Sequence, residues 1–168
     1  MSDKILVAYA TKAGSTAEVA EAVGEEVRNM GAEVDIRLAK DVKDLKQYSA
    51  VILGTGIRMG QLSSDATKFV EKNQEALKQV PVAYFVVCLT MKEDTEENRS
   101  TVEAYLDPVR EMVEPVDTGL FAGVIDYSKL SFTARTMSKA MKVSEGDFRD
   151  WETIRAWAQQ AYDSLRQE

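Results

Sequence analysis

No histidine occurs anywhere in the 168 residues, which removes the commonest general base near neutral pH and the commonest neutral metal ligand. A single cysteine, Cys88, excludes a disulfide within the chain and any CxxC zinc or iron–sulfur site. It lies in an apolar run, residues 82–89, and reads as a core side chain. Basic charge is also short, since 21 Lys and Arg against 28 Asp and Glu leave a net -7 at pH 7. A surface of that sign repels phosphate backbones, so nucleic acid is not expected as a partner, whereas a basic protein could dock on it. No apolar run approaches the ~18 residues of a membrane-spanning helix. Residues 1–4 lead directly into a strand pattern, without the basic, apolar and cleavage regions of a secretory signal. The expected location is cytoplasmic. With these chemistries set aside, a demanding reaction would have to be carried by a bound organic cofactor.

What is present is an alternation of strand and helix patterns. Residues 5–9 form a short apolar run with branched side chains, and from Thr16 the period changes, with Val19, Val23, Val27 and Met30 at helical spacing. Gly31 ends that helix. Residues 33–38 read as a second strand and residues 50–53 as the core of a third, followed by an expected loop from Gly54 to Gly60. Ser63 or Ser64 caps the next helix, with Ala66, Phe69, Val70, Ala76 and Leu77 as its apolar stripe. Residues 82–88 form a fourth strand, apolar enough to be buried on both faces. Asp94 with Glu97 resembles a capping box opening a helix that Pro115 stops. Residues 120–125 read as a fifth strand, and helices follow over 130–142 and 151–165. This order predicts right-handed βαβ units in a doubly wound α/β fold. The sheet has five parallel strands in the order 2-1-3-4-5, with helices on both faces, all in one domain spanning residues 1–168. Ligands of such folds bind beyond the carboxyl ends of the strands, at the switch between strands one and three.

The loop at that place is Thr11-Lys12-Ala13-Gly14-Ser15-Thr16. Three hydroxyls, a lysine and the free N–H groups of a helix start suit a terminal phosphomonoester. Ser15 or Thr16 could equally do no more than cap the helix. The P-loop pattern GxxxxGK[ST] is absent, as is a GxGxxG fingerprint at this loop. A phosphorylatable receiver would need an aspartate after strand three, where Gly54 stands.

The segment resembles the flavodoxin phosphate loop T-x-T-G-x-T, with Ala13 in place of the middle threonine. The resemblance implies an FMN cofactor whose phosphate is surrounded by Thr11, Lys12, Ala13, Gly14, Ser15 and Thr16. It further implies that the isoalloxazine ring lies between two loops. One is Thr55, Gly56, Ile57, Arg58, Met59 and Gly60, whose glycines allow close backbone approach. Met59-Gly60 is similar to the flavodoxin dipeptide whose peptide group reorients on reduction. The other is Leu89, Thr90, Met91 and Lys92, which lacks the tyrosine that often stacks on the ring. Met59, Leu89 or Met91 would then supply apolar contact, and the ring would be exposed to a substrate.

Other stretches resemble the menaquinone-linked protoporphyrinogen dehydrogenases, a flavodoxin-fold family: residues 54–60, Phe121-Ala122-Gly123 with Tyr127, and Asp150-Trp151. Those enzymes carry a longer, basic insertion before the final helix, where residues 142–150 are short here. Residues 129–142 nevertheless hold Lys129, Arg135, Lys139 and Lys142 and no acid. This stretch is either an ordinary solvated helix face or a peripheral docking surface for an anionic substrate, a quinone-rich membrane or an acidic partner. Two functions follow from the resemblance. The first is an FMN electron carrier between redox partner proteins; the alternative is an FMN dehydrogenase acting on a tetrapyrrole or a quinone. A flavodoxin-like domain without cofactor is a third reading.

Overall fold

The computed structural model describes residues 4–10, 15–58, 60–125 and 146–167. The expected helix over 130–142 lies outside them, as do Thr11 to Gly14 and Met59.

The elements in chain order are β1 (Lys4–Ala10), α1 (Ser15–Asn29), β2 (Glu33–Leu38), β3 (Ala50–Arg58), β4 (Gln61–Leu62), α2 (Ser64–Lys72), α3 (Gln74–Leu77) and β5 (Val82–Val87). There follow α4 (Glu96–Tyr105), α5 (Asp107–Arg110), β6 (Asp117–Phe121), β7 (Val124–Ile125), β8 (Gly146–Asp147) and α6 (Trp151–Arg166). Five parallel strands lie in the order β2-β1-β3-β5-β6, which is the doubly wound order read from the sequence. Each crossover returns the chain to the same end of the sheet, so the carboxyl ends of β1, β3, β5 and β6 stand side by side. Register sets Ala10 against Thr55, Gly56 against Val87, and Val87 against Phe121.

The strands alternate between two cores. Ile5 and Val7, Ile52, and Ala83, Phe85 and Val87 face α1 and α6. Leu6 and Ala8, Val51 and Leu53, and Tyr84 and Val86 face the layer containing α2, α4 and α5. Both faces being covered, the central strands read as continuous apolar runs rather than alternating ones. On α1 the residues Val19, Val23 and Val27 are fully buried, each contributing about 1.5–3 kcal/mol on leaving water. Gly31, at φ +106, closes that helix in the left-handed region that glycine adopts without strain. Asp150 caps α6 by accepting from the Thr153 N–H at 3.2 Å. Cys88 is buried, as expected of a core residue.

Four local expectations are corrected. The expected loop 54–60 is mostly strand: β3 continues through Gly54 and Thr55, paired on both sides, and through Gly56, paired with Val87, and Ile57-Arg58 then pair antiparallel with Gln61-Leu62. The expected fifth strand, 120–125, is divided, because Phe121 ends the parallel sheet and Val124-Ile125 pair antiparallel with Gly146-Asp147. The helix cap at residue 94 belongs to Thr95, whose hydroxyl accepts from the Asn98 N–H, while Asp94 is taken by Arg99 at 2.6 Å. The helix after β3 breaks at Asn73, which leaves Ala76 exposed rather than in the apolar stripe.

Candidate functional site

The site lies at the carboxyl end of the sheet, where α1 begins and three connections emerge. Ser15 and Thr16 form the first residues of α1, and Thr16 is 1 % exposed, a hydroxyl buried at a helix start. Free N–H groups and the positive end of the helix dipole belong to that same turn. Gly56 faces it from β3, where a Cβ would stand 3.2 Å from Thr16 Oγ1. The absence of a side chain thus lets the strand and the helix start approach each other closely. Gly123, beyond β6, packs as closely on the end of β5, since a Cβ there would lie 3.2 Å from Val87 Cγ1.

The hairpin beyond β3 is held internally. Thr55 Oγ1 donates to the Gly56 carbonyl at 2.9 Å and accepts from the Ser63 N–H at 3.3 Å, and Thr55 itself is 2 % exposed. Its hydroxyl therefore braces the hairpin. Gly60 turns the hairpin at φ +76. Ser63 Oγ is buried beside this brace with no hydrogen-bond partner among the described residues.

The connection after β5 is a single 3-10 turn, Leu89–Lys92. Leu89 is 38 % exposed, whereas Met91 is buried in the core beneath α4 and Thr90 is half-buried. Of the three apolar contacts expected for a ring, Leu89 is at the surface, Met91 is turned inward and Met59 is not described. Lys92 Nζ lies 4.5 Å from the Phe148 ring, and the Phe148 N–H donates to the Gly123 carbonyl at 3.1 Å. Phe148 thus reaches this turn from the far end of the chain.

The same segment carries the strongest ion pairs near the site. Arg149 binds Asp147 at 2.6 Å and Glu18, in the first turn of α1, at 2.7 Å. The guanidinium is 8 % exposed and lies 4.6 Å from the Trp151 ring. Hydrogen bonding to Arg149 holds the Asp147 carboxyl below its ordinary range, and the same bond raises Arg149. Phe148, Arg149 and Glu18 carried no motif in the sequence; only the neighbouring Asp150-Trp151 pair had been singled out. The structure brings together Ser15, Thr16, Thr55, Gly56, Ile57, Gly60, Leu89, Thr90 and Lys92 at one end of the sheet. Of Arg58 it shows the backbone, paired with Gln61.

A doubly wound sheet with a helix start at its switch point and Gly56 opposite it is the arrangement used by mononucleotide-binding α/β proteins. The flavodoxin-domain model matches residues 6–151, and the chain belongs to that family. FMN is the family's cofactor, and the hydroxyls of Ser15 and Thr16 at the start of α1 have the donor chemistry that a phosphate needs. The protoporphyrinogen IX dehydrogenase [quinone] of Leishmania major is 28% identical over 174 residues, covering 94% of this chain and 74% of that protein. The Escherichia coli (strain K12) protein of the same name is 25% identical over 171 residues, covering 94% and 93%. Oxidised flavodoxin 1 from Bacillus cereus superposes with TM-score 0.62 at 16% identity, covering 95% of this chain and 97% of that one. Among the described residues no helix is long and apolar enough to cross a membrane, and no group of three or more potential metal ligands occurs.

Proposed function

We propose that this chain is an FMN-dependent dehydrogenase that withdraws electrons from a small organic substrate of the protoporphyrinogen type and delivers them to a quinone. The observation that carries this reading is the turn after β5. It presents Leu89 outward, buries Met91 and contributes no aromatic residue of its own, Phe148 approaching it at Lys92 from the far end of the chain; a ring seated between this turn and the β3–β4 hairpin would leave an outer face for a second small molecule. The similarity to protoporphyrinogen IX dehydrogenases over 94% of the chain supports it.

FMN supplies the one- and two-electron chemistry when bound. The residues do the rest. N–H groups at the start of α1, with the Ser15 and Thr16 hydroxyls and the loop Thr11, Lys12, Ala13 and Gly14, hold the phosphate. Gly56 lets the cofactor approach the strand, and Thr55 braces the hairpin Ile57 to Gly60 that flanks the ring. Leu89, Thr90 and Lys92 line the opposite side. Cytoplasmic action, with any membrane contact made peripherally by residues 129–142, belongs to this reading.

A second reading, an electron carrier between redox proteins, is favoured by one feature: residues 142–150 are short where the resembled dehydrogenases carry a longer basic insertion. One experiment separates the two. Purified protein loaded with FMN is mixed with protoporphyrinogen and a soluble menaquinone analogue, and the same sample is reduced stepwise under its visible spectrum. The dehydrogenase turns over with the quinone. Absence of turnover in protein with bound FMN, together with two widely separated one-electron potentials, would replace it by the carrier.

A further inference from the structure

Glu18 poses a problem for the anion site. It stands in the first turn of α1, about 5 Å along the axis from Ser15 at 1.5 Å per residue. A carboxylate there competes for the positive end of the helix that a phosphate would use. Yet it is not left as a bare charge. Arg149 reaches it at 2.7 Å across 131 residues of sequence. That guanidinium is in turn fixed by two bonds to Asp147, at 2.9 Å from Nε and 2.6 Å from Nη2, and by the Trp151 ring. Glu18 and Asp147 are about half exposed while Arg149 is 8 % exposed, so the cation sits beneath the two acids and its position is set by packing.

We infer that Arg149 is a charge-masking residue for the phosphate end of the cofactor site: by pairing with Glu18 it keeps the mouth of α1 attractive to a dianion. This rests on the reading of Ser15 and Thr16 as the phosphate site. Arg149 acts through Glu18 and touches neither substrate nor cofactor. Removing it leaves Glu18 and Asp147 uncompensated beside the phosphate, two like charges where the pairing had left one in excess. The alternative is a mechanical clamp, in which Arg149 only ties the start of α6 to α1. The two differ in what Glu18 does. For a clamp, losing Glu18 is as harmful as losing Arg149; for a mask, losing Glu18 removes the charge that needed masking.

The test compares FMN with riboflavin, which lacks the phosphate, by quenching of flavin fluorescence in the wild type, R149Q, E18Q and the E18Q/R149Q double variant. Wild type binds FMN more tightly than riboflavin. R149Q weakens FMN by about fivefold, the upper range for an exposed charge pair, with riboflavin unchanged, and added salt narrows the difference. E18Q binds FMN at least as tightly as wild type, and the double variant regains most of the lost affinity. Equal weakening of both flavins in R149Q, or no recovery in the double variant, overturns the inference in favour of the clamp. Should R149Q fail to fold, weaker FMN binding by E18Q alone overturns it, and unchanged or tighter binding supports it. A wild type that does not distinguish FMN from riboflavin removes the phosphate site itself, and the inference falls with it.

Discussion

The Gly54→Ala substitution tests the packing of the central strand on the aromatic cluster beneath it. A Cβ built at Gly54 falls inside the Phe85 ring, closer than the 3.0 Å that real Cβ contacts respect. Neither partner can yield cheaply. Gly54 is paired with Tyr9 on one side and Phe85 on the other. Phe85 is 0% exposed, with Phe121 at 6.0 Å and Trp157 at 5.9 Å between ring centroids. Overpacking of a close-packed interior costs about 1–3 kcal/mol, and a site fixed on both sides belongs at the upper end. A loss of about 3 kcal/mol lowers the melting temperature of a chain this size by about 6–12 °C. Urea unfolding followed by circular dichroism measures the cost, and Phe85→Leu supplies the control. The double variant should be less destabilised than the sum of the singles by at least about 1 kcal/mol, since contacting residues couple by that order. A Gly54→Ala protein as stable as wild type, or strict additivity with Phe85→Leu, would refute the reasoning. Gly60→Ala makes the contrast. There the nearest atom to an added Cβ is Tyr105 Cε1 at 3.9 Å, and φ is +76. The cost is then backbone strain alone, about 1–2 kcal/mol, and Asn should recover part of it where Ala does not.

Replacing Ser15 and Thr16 together by alanine should weaken FMN by about two to four decades, from two charge-assisted hydrogen bonds of ~1.5–3 kcal/mol each. Riboflavin should be little affected, as paired fluorescence titrations will show. Tyr84→Phe removes a hydroxyl that donates to the Val113 carbonyl at 2.7 Å in the core and should cost about 1–2 kcal/mol in urea unfolding. Burial raises the Tyr84 phenol above its ordinary value, so its contribution holds below the unfolded phenol's range and is lost as pH rises through the folded value. The gap between wild type and Tyr84→Phe should therefore close in strong alkali. Asp147 is depressed by its bond to Arg149, so its contribution is present above the ordinary carboxylate range and disappears as pH falls through the folded value. Stability of Arg149→Gln measured against pH should accordingly approach wild type in acid and depart from it at neutrality.

Much of the architecture was legible because it is local. Apolar period and helix stops such as Gly31 depend on neighbours in sequence, and the order of strands and helices then leaves few topologies. The misreading at residues 54–60 has a physical cause. Three glycines in seven residues signal a turn, but Gly54 is there because Phe85 occupies the space a Cβ would need, and Gly56 because Thr16 stands opposite. Gly119 repeats this in β6, where a Cβ would lie 2.7 Å from Trp157. A glycine required by a close neighbour and one required by a positive φ look the same in a sequence. Only the second kind, Gly60, marks the turn itself.

The site was half legible for a related reason. The loop at residues 11–16 stands out because the phosphate site proposed for it would be built from consecutive residues. The partners that condition it are not consecutive. In a doubly wound sheet the helices run antiparallel to the strands they cover, so α1 and α6, packed on the same face, both begin at the carboxyl end. That topology brings the residues just before α6 beside the first turn of α1, and so sets Arg149 against Glu18 although 131 positions separate them. Once the strand order is known, the residues preceding the last helix become neighbours of the site by geometry. Their charge therefore bears on what α1 can bind, and a basic residue there has a different consequence from one elsewhere on an acidic surface.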